Sequence, residues 1–394
     1  MTAGTRTRTV PFARCHIVAE AHEAVERVLA SGWLTTGPQT MAFEDEFAGR
    51  LAAREAVAVS SCTAAIELAL RALRLPPGAP VFTPTLTFCG AVHAIVHSGL
   101  QPVLLDTDER TLTVDPATVA AAAGQVRPQA MIVQHMAGYP VGVAALADAA
   151  GLPAGRVVED AAHGLGAMIG GRAVGADSAA ACFSFYATKN LPIGEGGAIT
   201  TTDAGLAGVL REMRQHGMSR DAWRRYGPGA SWRYDVAVDG IKANFTDLQA
   251  AIGRAQLPHL PAWQRRRAEV AARYDRALAT VPGVVLPPRP AGGGHAWHLY
   301  PVRITAPYPL SRDALAAALS SRGVGTSVHF IPVHHFSYFR ALLGAQMCRQ
   351  LPVADRVARQ LLSLPMHPGL TDSDIDYVCD QIADLARTGG DPCA

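Results

Sequence analysis

The chain has 394 residues, of which 49% are hydrophobic and 17% charged, with a formal net charge of +2. Such a composition describes a soluble globular protein with ample core, and the near-neutral charge argues against nucleic acid or an acidic surface as a partner. No apolar stretch reaches the ~18 residues of a membrane span, and Met1 to Val10 holds Arg6 and Arg8 without an apolar h-region, so neither a membrane helix nor a signal peptide is expected. The seven cysteines lack CxxC spacing. Cys62, Cys89 and Cys182 lie among apolar or small residues and read as reduced thiols of a cytoplasmic protein.

In chain order, residues 16–31 place Ile17, Ala21, Val25, Val28 and Leu29 on one face, an amphipathic helix stopped by Gly32. A loop follows, then a second helix over 39–53. The stretch 56–70 reads as a strand over 56–59 running through Ser60, Ser61, Cys62 and Thr63 into a helix. Small polar residues there suit a phosphate at the helix N-terminus, or serve only as an N-cap. Further strands are expected at 80–83, 102–106, 130–134, 156–160, 180–185 and 197–201, making seven in all. Short apolar runs alternating with helices predict an α/β fold, a mostly parallel sheet covered on both faces. In such sheets ligands sit at the carboxyl ends of strands. Ser61 to Thr63, Phe88, Asp160 with His163, and Ser184 with Lys189 all fall there.

Residues 164–170 offer a GxGxxxG run, a poor match to a dinucleotide loop because no acidic residue follows at the right distance. An NAD-linked oxidoreductase is the alternative from the sheet alone, weakened by that defect. Between 203 and 240 the chain is rich in arginine: Arg211, Arg214, Arg220, Arg224, Arg225 and Arg233. Most of these are expected to be solvated, with one or two recruited to an anionic substrate. A long helical region runs from Gly240 to about residue 280, interrupted by Pro258 and Pro261, with Arg265 to Arg267 on a solvated face. The composition shift near 256–262 suggests a large domain over 1–258 and a smaller α+β domain over 259–394. In the latter, strands are expected at 297–304 and 326–331, and helices at 311–321, 349–362 and 372–387. His329, His334 and His335 cluster in sequence, but no carboxylate or thiol joins them at ligand spacing, so no metal site is expected.

The most informative residue is a lysine. Of 35 basic side chains only Lys189 and Lys242 are lysine. An arginine cannot lose its proton or form an imine. Lys189 follows a buried strand and precedes a Gly-Glu-Gly-Gly turn, so it is the candidate for Schiff-base chemistry.

Ser60-Ser-Cys-Thr-Ala-Ala65, Val158-Glu-Asp-Ala-Ala-His163 and Phe183-Ser-Phe-Tyr-Ala-Thr-Lys-Asn190 with Gly194 to Gly197 resemble the DegT/DnrJ/StrS family of sugar aminotransferases. So do Gly32-Trp-Leu-Thr35, Gly240 to Ala251, Val328 to His334 and Leu362 to Pro368, in the expected order from about residue 10 to 387. The resemblance implies the type I pyridoxal 5'-phosphate (PLP) fold and a homodimer with shared active sites. Position by position, it implies that Lys189 forms the Schiff base with PLP and then moves the proton. Asp160 would pair with the pyridine nitrogen, His163 would bond the phenolic oxygen, and Phe88 would stack on the ring. Cys62, Thr63 and Ser184 would hold the phosphate. Asn244, with Lys242, would reach in from the partner subunit, and His329 would approach the sugar. Two departures stand out: Cys62 where Gly is frequent, and Gly142 where an acid is frequent. A branch with His in place of the lysine performs dehydration, and Lys189 argues against it. The implied activity is amino transfer from glutamate to the ketone of a nucleotide-linked 4-keto-6-deoxysugar, at C4 in preference to C3. A non-catalytic PLP-binding regulatory protein is the remaining alternative.

Overall fold

The computed structural model describes residues 8–219, 234–347 and 351–389. Seven strands form one sheet: β1 (Glu55–Val59), β2 (Pro80–Pro84), β3 (Gln101–Leu105), β4 (Ala130–Gln134), β5 (Val157–Asp160), β8 (Ala180–Ser184) and β9 (Gly197–Thr201). A two-residue hairpin, β6 (Met168–Ile169) and β7 (Arg172–Ala173), lies between β5 and β8. The sheet order is β1-β9-β8-β5-β4-β2-β3, and only β9 runs against the rest. All seven strands stand where the apolar runs predicted them. Their residues are buried nearly throughout, as a sheet covered on both faces requires. The single reversal leaves the carboxyl ends of β1, β2, β4, β5 and β8 along one edge.

β1 is an outer strand, with backbone groups that would otherwise lack partners. Glu44 Oε1 accepts the Ala58 N–H at 2.9 Å, and Arg214 Nη1 donates to the Ala58 carbonyl at 2.7 Å. Glu44 and Arg214 also pair directly, both almost fully buried. Arg211 adds bonds to Glu44, Glu55 and the Ala56 carbonyl. The expectation that the arginines of 203–240 are mostly solvated is therefore corrected for these two: the edge strand needs donors there. Arg220, Arg224, Arg225 and Arg233 lie outside the described residues.

The chain after Gly240 forms a helix, Asp247–Gln256, opened by a reciprocal cap between Thr246 and Gln249. A 3₁₀ turn, Leu257–His259, leads into the helix Leu260–Leu278. Arg267 on that helix is not solvated. It is 3% exposed and donates to the carbonyls of Trp297 (3.1 Å), His298 (3.4 Å) and Met366 (3.0 Å). Those carbonyls lack a ladder partner, and all three converge on the Arg267 Nη1.

A second sheet has three antiparallel strands, β10 (Val284–Val285), β11 (Tyr300–Ile304) and β12 (Leu361–Leu364). Two expectations are corrected here. Residues 326–331 form no strand; Ser327 makes one bridge to Ser363. The expected helix over 349–362 ends early, at Pro352–Ala358, and Leu361–Leu364 is a strand instead. All four of its residues are buried, and a short apolar run of that kind fits a buried strand as readily as a helix.

Removing Glu44 strips Arg214 of its counter-charge inside the protein. Glu44→Ala is expected to lower stability by about 3–5 kcal/mol, read as a fall in the midpoint of chemical denaturation. Arg54→Ala, at the exposed end of the same region, should change it by less than about 0.5 kcal/mol.

Candidate active site

The strand ends meet in a cavity of about 640 Å³. Asp160 closes β5, Ser184 closes β8, and Ser61 to Thr63 follow β1. Phe88 follows β2, and Lys189 comes from the loop after β8. The loop folds back on itself through Phe185 N–H to the Gly196 carbonyl (2.9 Å) and Lys189 N–H to the Tyr186 carbonyl (2.8 Å). Two glycines allow this. Gly196 has φ 151°, and a Cβ on Gly197 would lie 2.5 Å from the Ser61 backbone. The Gly-Glu-Gly-Gly run thus seats the lysine loop directly on the N-terminus of the helix Cys62–Ala72.

Ser61 is that helix's N-cap, its Oγ accepting the Ala64 N–H at 3.1 Å. The Cys62 and Thr63 amides of the first turn remain for an anion. Both readings of this turn are thus physically compatible. The Cys62 thiol points inward, to the Cys182 carbonyl at 3.3 Å, and burial pushes its pKa well up, so it is no thiolate.

Asp160 is 3% exposed and makes no ion pair of its own among the described residues. Its Oδ1 accepts the Ala162 N–H at 3.1 Å. Burial raises its pKa, while the Ala162 bond and Lys189 pull the other way. Lys189 is partly open to the cavity. Its pKa is lowered to about 8 by desolvation, against the pull of Asp160. His163 is buried and held neutral by burial and by Lys189. Its Nδ1 accepts the Ala137 N–H at 3.2 Å. Phe88 is 58% exposed and lines the cavity, a planar face left open to it. His329 also lines it, bonded through Nδ1 to Ser363 Oγ at 3.1 Å, its pKa pushed down to about 4 by burial and Lys189.

Two expected site residues do not join this cavity within the chain. Lys242 is exposed, and the Asn244 amide bonds Thr36 Oγ1 at 3.0 Å. The histidine cluster is also corrected. His329 stands apart from His334 and His335, which share Oδ1 of Asp355 at 2.9 and 2.6 Å. A carboxylate that is distant in sequence does join them, and both ring hydrogens are directed to it as a staple between two segments.

The reading of the sequence missed Phe12, Asn190, His298 and Phe330. Phe12, His298 and Phe330 line the cavity, while Asn190 braces the lysine loop. His298 sits in an apolar run and Phe330 in an expected strand, so neither carries a local signal. Asn190 stood beside the lysine, but its partners are far away in sequence.

A model of the DegT/DnrJ/EryC1/StrS aminotransferase family matches residues 16–383. The chain belongs to that family. It is 40% identical to the spore coat polysaccharide biosynthesis protein SpsC of Bacillus subtilis, over 97% of this chain and 98% of SpsC. DesV of S. venezuelae, solved in complex with a ketimine intermediate, is 37% identical, with a TM-score of 0.83 over 93% of this chain and 94% of DesV. Spr1654 of Streptococcus pneumoniae, solved in its PMP-form, is 26% identical, with a TM-score of 0.88 over 97% and 100%. The fold is the type I fold of PLP enzymes, and the protein is a PLP-dependent sugar aminotransferase. Among the described residues no helix is long and apolar enough to cross a membrane.

The residues present fit PLP. Asp160 is a buried carboxylate without a cation, Lys189 a desolvated amine, and the Cys62–Ala72 helix offers free amides. The neutral amine is the form that captures an aldehyde, so the rate of PLP capture by cofactor-free protein should rise with pH and level off above about 8. Asp160 holds the Lys189 pKa up, so Asp160→Asn should move the midpoint to lower pH. A stopped-flow pH profile of both proteins checks this.

Proposed function

We propose that this family member moves an amino group from glutamate to the ketone at C4 of a nucleotide-linked 4-keto-6-deoxysugar. The observation that carries the reading is Lys189, with its pKa lowered to about 8, in one cavity with the buried and unpaired Asp160. Bound PLP supplies an electron sink that lets a carbon–hydrogen bond beside nitrogen ionise. In this reading Lys189 would hold the cofactor covalently and, once displaced by the donor's amine, its freed neutral Nζ would carry the proton between carbon centres. Asp160 keeps the ring nitrogen protonated. His163, with Nδ1 occupied, turns an Nε2–H to the phenolic oxygen. Phe88 covers one ring face, and Ser184 with the Cys62 and Thr63 amides takes the phosphate.

Several features support the finer points. Lys189 is the single Lys or Arg among the described residues lining the cavity. A nucleotide diphosphate needs further cations, and Lys242 and Asn244 lie outside the chain's own cavity. Both fit contribution across a homodimer. The relatives point toward sugars: SpsC is described by its part in polysaccharide biosynthesis. The choice of C4 over C3 rests on the Lys242-Ala-Asn244 variant and the long segment before Gly240.

The test is a visible spectrum of the PLP-loaded protein. Glutamate should bleach the cofactor's visible band, and a nucleotide-linked 4-ketosugar should restore it. Restoration by a 3-ketosugar alone would move the reaction to C3. No bleaching by glutamate would point to another donor or to a regulatory protein. Lys189→Ala should lose covalent attachment of PLP, visible by mass spectrometry after borohydride reduction, and its turnover should fall by at least about 10³-fold.

A further inference from the structure

Two buried histidines line the cavity with opposite hydrogen-bonding polarity. His163 accepts the Ala137 N–H at Nδ1, so its proton is on Nε2. His298 is fixed the other way through Asn190. The Asn190 Nδ2 donates to the carbonyls of Leu165 (3.1 Å) and Ala296 (3.0 Å) and to Gln264 Oε1 (3.0 Å). Two of these acceptors are backbone carbonyls, which decides the orientation of the amide. Asn190 Oδ1 therefore faces His298 Nδ1 at 3.1 Å, and Nδ1 must donate. Burial, with His163 and Lys189 nearby, keeps His298 neutral. Its Nε2 is left as an acceptor. No described residue bonds it, it is not among the sealed polar atoms without a partner, and the ring lines the cavity. The ring's centre lies 4.4 Å from that of His163 on the cavity wall.

We propose that His298 is a specificity-determining residue whose Nε2 accepts a hydrogen bond from a ring hydroxyl of the sugar. With the His163 N–H turned to the cofactor, the His298 Nε2 remains as an acceptor for a sugar hydroxyl, which can give a hydrogen bond. A neutral imidazole whose tautomer is fixed by a second residue is a selective acceptor, because it cannot turn its own N–H to the ligand. A site built to accept from a hydroxyl discriminates against an analogue lacking it, since the acceptor is then left dry. The inference rests on the sugar-aminotransferase reading.

The test compares the wild type with two variants on the ketosugar and its deoxy analogues. His298→Asn keeps an amide N–H for Asn190 and removes the Nε2 acceptor; His298→Gln places an amide oxygen near where Nε2 stood. With the nucleotide-linked ketosugar, His298→Asn should raise KM by about 10- to 100-fold, and His298→Gln should recover part of it. With deoxy analogues, one of them should lose the same factor on the wild type and show no further loss on His298→Asn. The donor half-reaction with glutamate, followed by bleaching, should be unchanged. Equal KM for the wild type and His298→Asn with every sugar would overturn the proposal. So would a donor half-reaction slowed as much as the sugar half-reaction, which would mean that His298 acts on Lys189. If His298→Asn does not fold, the deoxy series on the wild type still decides, because no loss at any ring position removes the proposed partner. A wild type that bleaches with glutamate but accepts no ketosugar would instead remove the parent reading.

Discussion

A carboxylate buried without a cation at the end of β5 is the constraint around which the site is built. An ionised Asp160 in this setting is costly, and burial raises its pKa. Lys189 is the nearest compensating charge, yet the same desolvation lowers the pKa of the lysine. Each group holds the other near its charged form, and neither is fully satisfied. A ligand bearing a ring N–H for the carboxylate and an aldehyde for the amine relieves both. The fold meets this requirement by sheet topology: β1, β2, β4, β5 and β8 all end on one edge, and the one reversed strand, β9, returns the lysine loop to the sheet. Gly197 then lets that loop touch the helix N-terminus, where a side chain would collide with the Ser61 backbone.

The division of labour between the two kinds of cation follows from their chemistry. Arg214 and Arg267 are both nearly buried; Arg214 satisfies the Ala58 carbonyl on the open edge of β1, and Arg267 satisfies three carbonyls outside any ladder. A guanidinium does this well because it stays charged and offers several donors at fixed angles. It serves poorly as a nucleophile for the same reasons. A chain that uses arginine almost everywhere thus leaves its lysines conspicuous, and one of the two lies in the cavity.

The large sheet and the residues at its strand ends were legible because both rest on local pattern. An apolar run of four or five residues followed by small polar ones is visible in one sequence, and the rule that ligands sit at carboxyl ends does the rest. The C-terminal part was less legible. Leu361–Leu364 is apolar enough for a helix or a strand, and its pairing with β11 decided the matter. The burial of Arg267 has no local sign, since its three carbonyl partners come from segments 30 to 99 residues away. Asp355, twenty residues from His335, was invisible for the same reason. Asn190 was adjacent to the lysine and still unread, because what it does depends on Leu165, Ala296 and His298.

These long-range contacts also separate two jobs within the cavity. The groups suited to a cofactor, Asp160, Lys189, Ser184 and the Cys62–Ala72 helix, all belong to the sheet and its loops. His298, His329 and Phe330 come from the later part of the chain, and Phe12 from its beginning. His329 stacks on Phe12, and Phe330 on His163, so this second set forms a roof of aromatic faces with neutral nitrogens. A neutral roof above a charged floor has a physical consequence. It adds no charge of its own to disturb the balance between Asp160 and Lys189, so its residues can vary with the ligand while the floor stays tuned. Asn190, next to Lys189 in the lysine loop, bonds the Leu165 carbonyl on one side and His298 on the other. The lysine loop and the tautomer of the His298 ring are therefore tied together by a single amide.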